Sequence, residues 1–152
     1  MKISLTEVLN SLARAVGSPR VLCADDDPSV RDLCSMALTR AGFVTEVAAN
    51  GREVLEKIET TDYAAILLDL AMPSVHGATI LSVLQRERPE LLRRIIIVTG
   101  MPDAVVEGVN QQVAAVLRKP VSLDALVAEV KNCSTRHPKR ETAVPGDSTV
   151  RL

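Results

Sequence analysis

The sequence predicts a doubly wound α/β domain, and three observations carry that expectation. Short β-rich runs alternate with helical patterns over most of the 152 residues. Several of those runs are continuously apolar, as in AAILL (64–68) and IIIV (95–98), the pattern of parallel strands covered on both faces. Polar residues then collect where the runs stop, as in the three aspartates 25–27 behind VLCA. Five strands alternating with five helices argue for one parallel sheet built from right-handed βαβ units, with helices on both faces.

Residues 4–16 place Leu5, Val8, Leu9, Leu12 and Val16 on one helical face. Ser4 and Glu7 have capping-box spacing, and Gly17-Ser18-Pro19 stops the helix. Residues 1–18 thus form a short N-terminal amphipathic helix and linker ahead of a main domain at 19–132. Its apolar stripe either docks on its own domain or makes a weak contact with a second copy. The strand candidates are Arg20–Ala24, Phe43–Ala48, Ala64–Asp69, Ile95–Thr99 and Val113–Arg118. Helical patterns occupy 28–41, 51–60, 76–87, 103–110 and 122–132. Gly42 is placed as a helix C-cap and Asn50-Gly51 as a turn signal. Residues 133–152 are polar, contain two prolines and show no periodicity, which reads as a disordered tail.

Composition narrows the function classes. Eighteen basic and 19 acidic residues leave a net charge of −1, so there is no global footprint for nucleic acid or for an anionic membrane. The apolar runs fall far short of the roughly 20 residues a membrane span needs, and no long apolar h-region opens the chain. Hydrophobic residues make up 47%, yet Phe43 and Tyr63 are the only aromatics, so the core must be aliphatic. Cys23, Cys34 and Cys133 fit neither a zinc pattern nor a disulfide framework and suggest a reducing, cytoplasmic setting. Cys23 and Cys34 read as small buried hydrophobes. His76 reads as a loop histidine before a helix, not a metal ligand.

In a doubly wound sheet, functional groups collect at the carboxyl ends of the strands. Here those ends carry Asp25, Asp26 and Asp27, then Asp69, then Thr99-Gly100, then Lys119-Pro120. Clustered carboxylates suit a hard cation such as magnesium. A carboxylate can also be a nucleophile that becomes an aspartyl-phosphate, with the cation and an ammonium offsetting charge on the transferring group. Asp27 before Pro28 has a separate role as N-cap of the next helix.

The ordered set DDDP, Asp69-Leu70-Ala71-Met72-Pro73 with Gly77, Thr99-Gly100 and Lys119-Pro120 resembles the receiver domain of two-component response regulators, over about residues 20–131. The resemblance implies a flavodoxin-like sheet of order 2-1-3-4-5. It implies that Asp69 accepts a phosphoryl group from a histidine kinase or histidine phosphotransferase. By the same likeness Asp25 and Asp26 hold Mg2+ together with Asp69 and the backbone carbonyl of Ala71. Thr99 corresponds to the switch hydroxyl, Lys119 to the lysine that pairs with the phosphoryl group, and the Lys119-Pro120 bond is expected to be cis. The chain would then be no turnover enzyme. It would signal by protein–protein contact as a monomer or weak dimer, since the residues after the last helix are too few for a helix-turn-helix domain.

The sequence also departs from the pattern. Receivers usually carry Tyr, Phe or His three residues before the lysine, where this chain has Val116. The segment between Thr99 and Lys119 is slightly short for the family, so the helix within it is expected to be short or irregular. Ala71 and Met101, two residues after Asp69 and Thr99, cannot orient a water, which implies slow loss of the phosphoryl group. Rival readings are a phosphorylation-independent binding module on the same fold, a receiver cut from a hybrid histidine kinase, and an aspartyl-nucleophile phosphohydrolase. The last is disfavoured because such enzymes often place a second Asp where Ala71 stands.

Overall fold

A computed structural model describes residues 2–15, 17–73 and 75–137. Five strands, β1 (Arg20–Ala24), β2 (Val44–Ala48), β3 (Ala65–Leu68), β4 (Ile95–Thr99) and β5 (Ala115–Arg118), form one parallel sheet of order β2-β1-β3-β4-β5. This is the expected order. The helices are α1 (Leu5–Ala15), α2 (Pro28–Arg40), α3 (Gly51–Thr60), α4 (Gly77–Glu87), α5 (Asp103–Val106) and α6 (Leu123–Arg136).

Successive strand side chains point to opposite faces of a sheet, and the core divides accordingly. Leu22, Ile66, Leu68, Ile95 and Ile97 join Val54 and Ile58 of α3 and Ile80 and Leu84 of α4 in one cluster. Val21, Cys23, Leu67, Ile96 and Val98 join Cys34 and Leu38 of α2 and Leu126 and Val130 of α6 in the other. Both clusters are almost wholly aliphatic, as two aromatics in the chain require. All three thiols are buried and unpaired, and burial raises their pKa values, that of Cys133 to about 11.

Local sequence explains the helix ends. Asp27 Oδ1 accepts the Ser29 N–H at 2.8 Å, with Pro28 at the first helical position of α2. Gly42, at φ +96°, turns the chain out of that helix, and its N–H reaches Thr39 O at 3.1 Å. Asn50 caps α3 through the Glu53 N–H at 3.0 Å. Ser4 and Glu7 form the expected reciprocal capping box, at 2.8 and 3.2 Å.

Beyond shifts of one residue at several element ends, the structure departs from the sequence reading in these places. α5 stops at Val106 instead of residue 110, and Glu107 to Gln112 continue as turns. β5 begins two residues later than expected, at Ala115. A 3-10 helix, Pro89–Arg94, precedes β4 and was not anticipated. The last helix runs to Arg136, so Cys133 to Arg136 are helical instead of opening a tail. Cys133 lies one turn beyond Val130 on the buried face and points its thiol at Ala64 O, 3.5 Å away. Residues 138–152 of the expected tail lie outside the described residues.

α1 packs on α2 and β2, at the outer edge of the sheet. It is held there by a polar residue. Asn10 Oδ1 accepts from the Thr45 N–H at 3.3 Å and from the Thr39 hydroxyl at 3.4 Å. A helix thereby covers an edge strand that would otherwise present unpaired donors. Leu5, Val8 and Leu12 of the predicted apolar stripe remain exposed.

Two glycines let the β3–α4 loop fold tightly against the strand ends. A Cβ on Gly51 would sit 2.2 Å from Val75 O, and one on Gly77 would sit 2.6 Å from Leu70 Cα and 2.7 Å from Asp69 O. Both obstacles are backbone, which cannot swing aside. Gly77→Ala is therefore expected to lower stability by about 1–3 kcal/mol, the usual scale of overpacking. Urea unfolding reads this, and an unchanged midpoint would show that the loop yields freely.

Candidate functional site

The parallel register sets the site. Ala24 pairs with Leu68, so the next residues, Asp25 and Asp69, leave adjacent strands side by side. Thr99 ends β4 and Lys119 comes directly after β5. Asp25 and Asp69 are 7% and 4% exposed, Thr99 is fully buried, and Asp26 is exposed. All the residues expected to converge therefore do so at one edge of the sheet.

One carboxylate oxygen from each of Asp25, Asp26 and Asp69 lies within 4.8 Å of the others. Lys119 bridges two of these groups, with Nζ 3.0 Å from Asp25 Oδ2 and 3.2 Å from Asp69 Oδ2. Burial disfavours the Lys119 ammonium, but hydrogen bonds and charge from Asp25 and Asp69 outweigh it and hold its pKa above the ordinary lysine value. The remaining oxygens are also engaged. Asp25 Oδ1 accepts the Asp27 N–H at 2.9 Å, and Asp69 Oδ1 accepts the Ala71 N–H at 3.0 Å. These contacts orient both buried carboxylates. Asp26 makes no hydrogen bond to a described residue, so its carboxylate is available to a ligand. The Lys119-Pro120 bond is cis, as expected.

The donor set fits a small hard cation. It is all oxygen and gathered within reach of one ion, and it carries more negative charge than one ammonium cancels. Ala71 lies in the exposed turn after Asp69, within the same constellation. His76 is the N-cap residue of α4 but makes no capping bond with its side chain; its Nδ1 lies within hydrogen-bond distance of Met72 O at 3.0 Å instead.

Two residues were missed in the sequence. Arg31 donates to the Asp25 carbonyl at 2.8 Å and so braces the acidic loop. Arg118 donates to Met101 O and to Asp103 Oδ1 across the β4–α5 loop. Neither stands at a motif position. Only the register of neighbouring elements brings them to their partners. Thr99 Oγ1 in turn accepts the Met101 N–H at 3.0 Å. Val116 is half-buried and, like Met101 and Val109, packs against the cluster that contains Ile95 and Ile97.

Known proteins match this arrangement. A family model described as the response regulator receiver domain matches residues 21–131. Among curated relatives, the transcriptional regulatory protein TrcR of Mycobacterium tuberculosis is 32% identical over 95% of this chain and 56% of its own length. TcrA of the same organism is 28% identical over 81% of this chain and 49% of its own. The chain spans about half the length of these relatives. Among solved structures, the receiver domain of Francisella response regulator 1452 superposes with a TM-score of 0.69 at 30% identity, covering 78% of this chain and 98% of that one. A receiver domain protein of Methanospirillum hungatei gives 0.70 at 27%, covering 79% and 96%. No helix among the described residues is long and apolar enough to cross a membrane. With the sheet order, the strand-end carboxylates and these matches in agreement, the chain belongs to the response regulator receiver-domain family of two-component signalling.

Proposed function

We propose that the chain is a phosphoacceptor that takes a phosphoryl group onto Asp69 from the phosphohistidine of a histidine kinase or histidine phosphotransferase. The observation that carries this is the placement of Asp69: a buried carboxylate oriented by the Ala71 N–H, bridged by Lys119, and grouped with two further carboxylates. An Asp69 oxygen forms the new bond to phosphorus while the bond to the imidazole nitrogen breaks, and the histidine leaves with that electron pair. Lys119 sits where it can follow the transferred group and offset its charge. Thr99 supplies a buried hydroxyl whose proton faces no acceptor among the described residues, and a phosphoryl oxygen would provide one. Asp25, Asp26, Asp69 and the Ala71 carbonyl would hold Mg2+, which when bound neutralises charge on the phosphoryl oxygens. The chain acts on its own side chain and is not a turnover enzyme. It works in the cytoplasm, where kinases of this type present their phosphohistidine, and signals by protein contact.

A second reading has two observations in its favour. Val116 offers no ring to report on Thr99, and α5 is a single turn. A binding module that ignores phosphorylation would need neither a ring there nor a longer helix. It would also have no use for three converging carboxylates, so the acceptor reading ranks first.

Incubated with a small phosphodonor and magnesium, the wild-type chain takes up acid-stable, alkali-labile phosphate, and Asp69→Asn takes up none. Equal uptake by both would end the acceptor assignment. Magnesium raises the melting temperature by several degrees, since saturation at about a hundredfold excess over Kd stabilises by about 2.7 kcal/mol. Asp26→Ala removes most of that shift, and an identical shift in the variant would place the metal elsewhere. The phosphoryl group persists for minutes or longer in the purified protein, because Ala71 and Met101 cannot align a water. A lifetime of seconds would contradict that account.

A further inference from the structure

The contacts at the end of β4 form a short chain. Thr99 Oγ1 accepts the N–H of Met101 at 3.0 Å. The carbonyl of the same residue accepts from Arg118 Nη1, and Arg118 Nη2 donates to Asp103 Oδ1 at the start of α5. Both backbone groups of Met101 are therefore pinned, one by the buried hydroxyl and one by the guanidinium. Arg118 precedes Lys119, and successive strand side chains diverge. Lys119 turns to the carboxylates while Arg118 turns to the loop. The Lys119 N–H also donates to Thr99 O at 3.1 Å, so the two strand ends stay together beneath these side chains.

We propose that Arg118 is a positioning residue, which holds the β4–α5 loop, and through Met101 the Thr99 hydroxyl, in the resting arrangement. The inference rests on the acceptor reading of Asp69. When a phosphoryl oxygen draws the Thr99 hydroxyl toward Asp69, the Met101 N–H gives up its partner and the loop shifts against the guanidinium clasp. Val116 is too small to fill space or report that shift, so the polar clasp sets the bias between the two arrangements. The clasp opposes the phosphorylated arrangement, and removing it favours that arrangement.

Beryllofluoride, a phosphoryl mimic that needs no donor, tests this on the full chain with magnesium present. Arg118→Ala and Asp103→Asn should each tighten its apparent affinity about two- to fivefold, the ratio that an exposed charge pair of this kind supplies. The double variant should gain no more than Arg118→Ala alone, because both act on one clasp. Arg118→Lys, able to hold only one of the two acceptors, should fall between. A merely structural arginine would lower thermal stability without raising affinity. Unchanged or weaker binding in both single variants, or fully additive gains in the double variant, overturns the inference while leaving the acceptor reading intact. Wild-type protein that binds no beryllofluoride overturns both.

Discussion

Everything at the site turns on two carboxylates that the sheet forces together at a buried edge. Asp25 and Asp69 leave neighbouring strands in register, and both are nearly inaccessible to water. Burying one charge is costly, and burying two of the same sign is worse. The fold offsets this with one ammonium and a few backbone donors. Lys119 reaches both groups from beyond β4 because its stem is long and its three donors rotate freely. The arrangement is still incomplete, since Asp26 adds a third carboxylate to one cation. Three carboxylates against one ammonium leave two negative charges, which a dication would cancel. The same deficit that makes the resting cluster poor as a structural element makes it suitable for magnesium.

The loops around the cluster are built to keep it in place. Asp27 ends the acidic run as an N-cap, so its charge serves the positive end of α2 and not the cluster. Arg31, one turn into that helix, ties back to the Asp25 carbonyl. On the β3 side, Gly77 lets the chain return within contact of Asp69 and Leu70, and its N–H bonds to Leu70 O at 3.3 Å. Asp69 is thus fixed from both the strand and the loop. A carboxylate held this way is positioned before any ligand arrives, as the proposed acceptor role would require.

Much of this was legible in the sequence, for a physical reason. Continuous apolar runs such as IIIV specify strands covered on both faces, and a parallel sheet aligns the residues at the carboxyl end of each run. The positions of Asp25, Asp69, Thr99 and Lys119 could therefore be read from strand ends alone. The features that escaped depend on contacts between distant segments. Asn10 meets Thr45 across 35 residues, and no periodicity within residues 4–16 distinguishes it from Ser11. The end of the last helix was hidden because Cys133 stands in a polar stretch, although it sits one turn beyond Val130 and finds a buried acceptor. The fifth helix is shorter than its pattern because Glu107, Gly108 and Asn110 to Gln112 give it little apolar surface to bury.

The two edges of the sheet differ in how they are covered. At β2 a whole helix covers the edge through Asn10. At β5 the strand is only half-buried, and the helix that precedes it in the chain, α5, is one turn long. The contacts that hold the β4–α5 loop are largely at the surface, with Asp103 and Arg118 both exposed at their charged ends. Exposed ion pairs contribute about 0–1 kcal/mol. A hydrogen bond from Thr99 to a charged phosphoryl oxygen contributes about 1.5–3 kcal/mol. On the proposed acceptor reading the second would exceed the first, so one new bond at Asp69 would suffice to displace the loop without disturbing either hydrophobic cluster. In a receiver with a large aromatic at position 116, that displacement would also have to move a ring. With Val116 it would be a local exchange of polar contacts on the side of the sheet where the edge strand is half-buried.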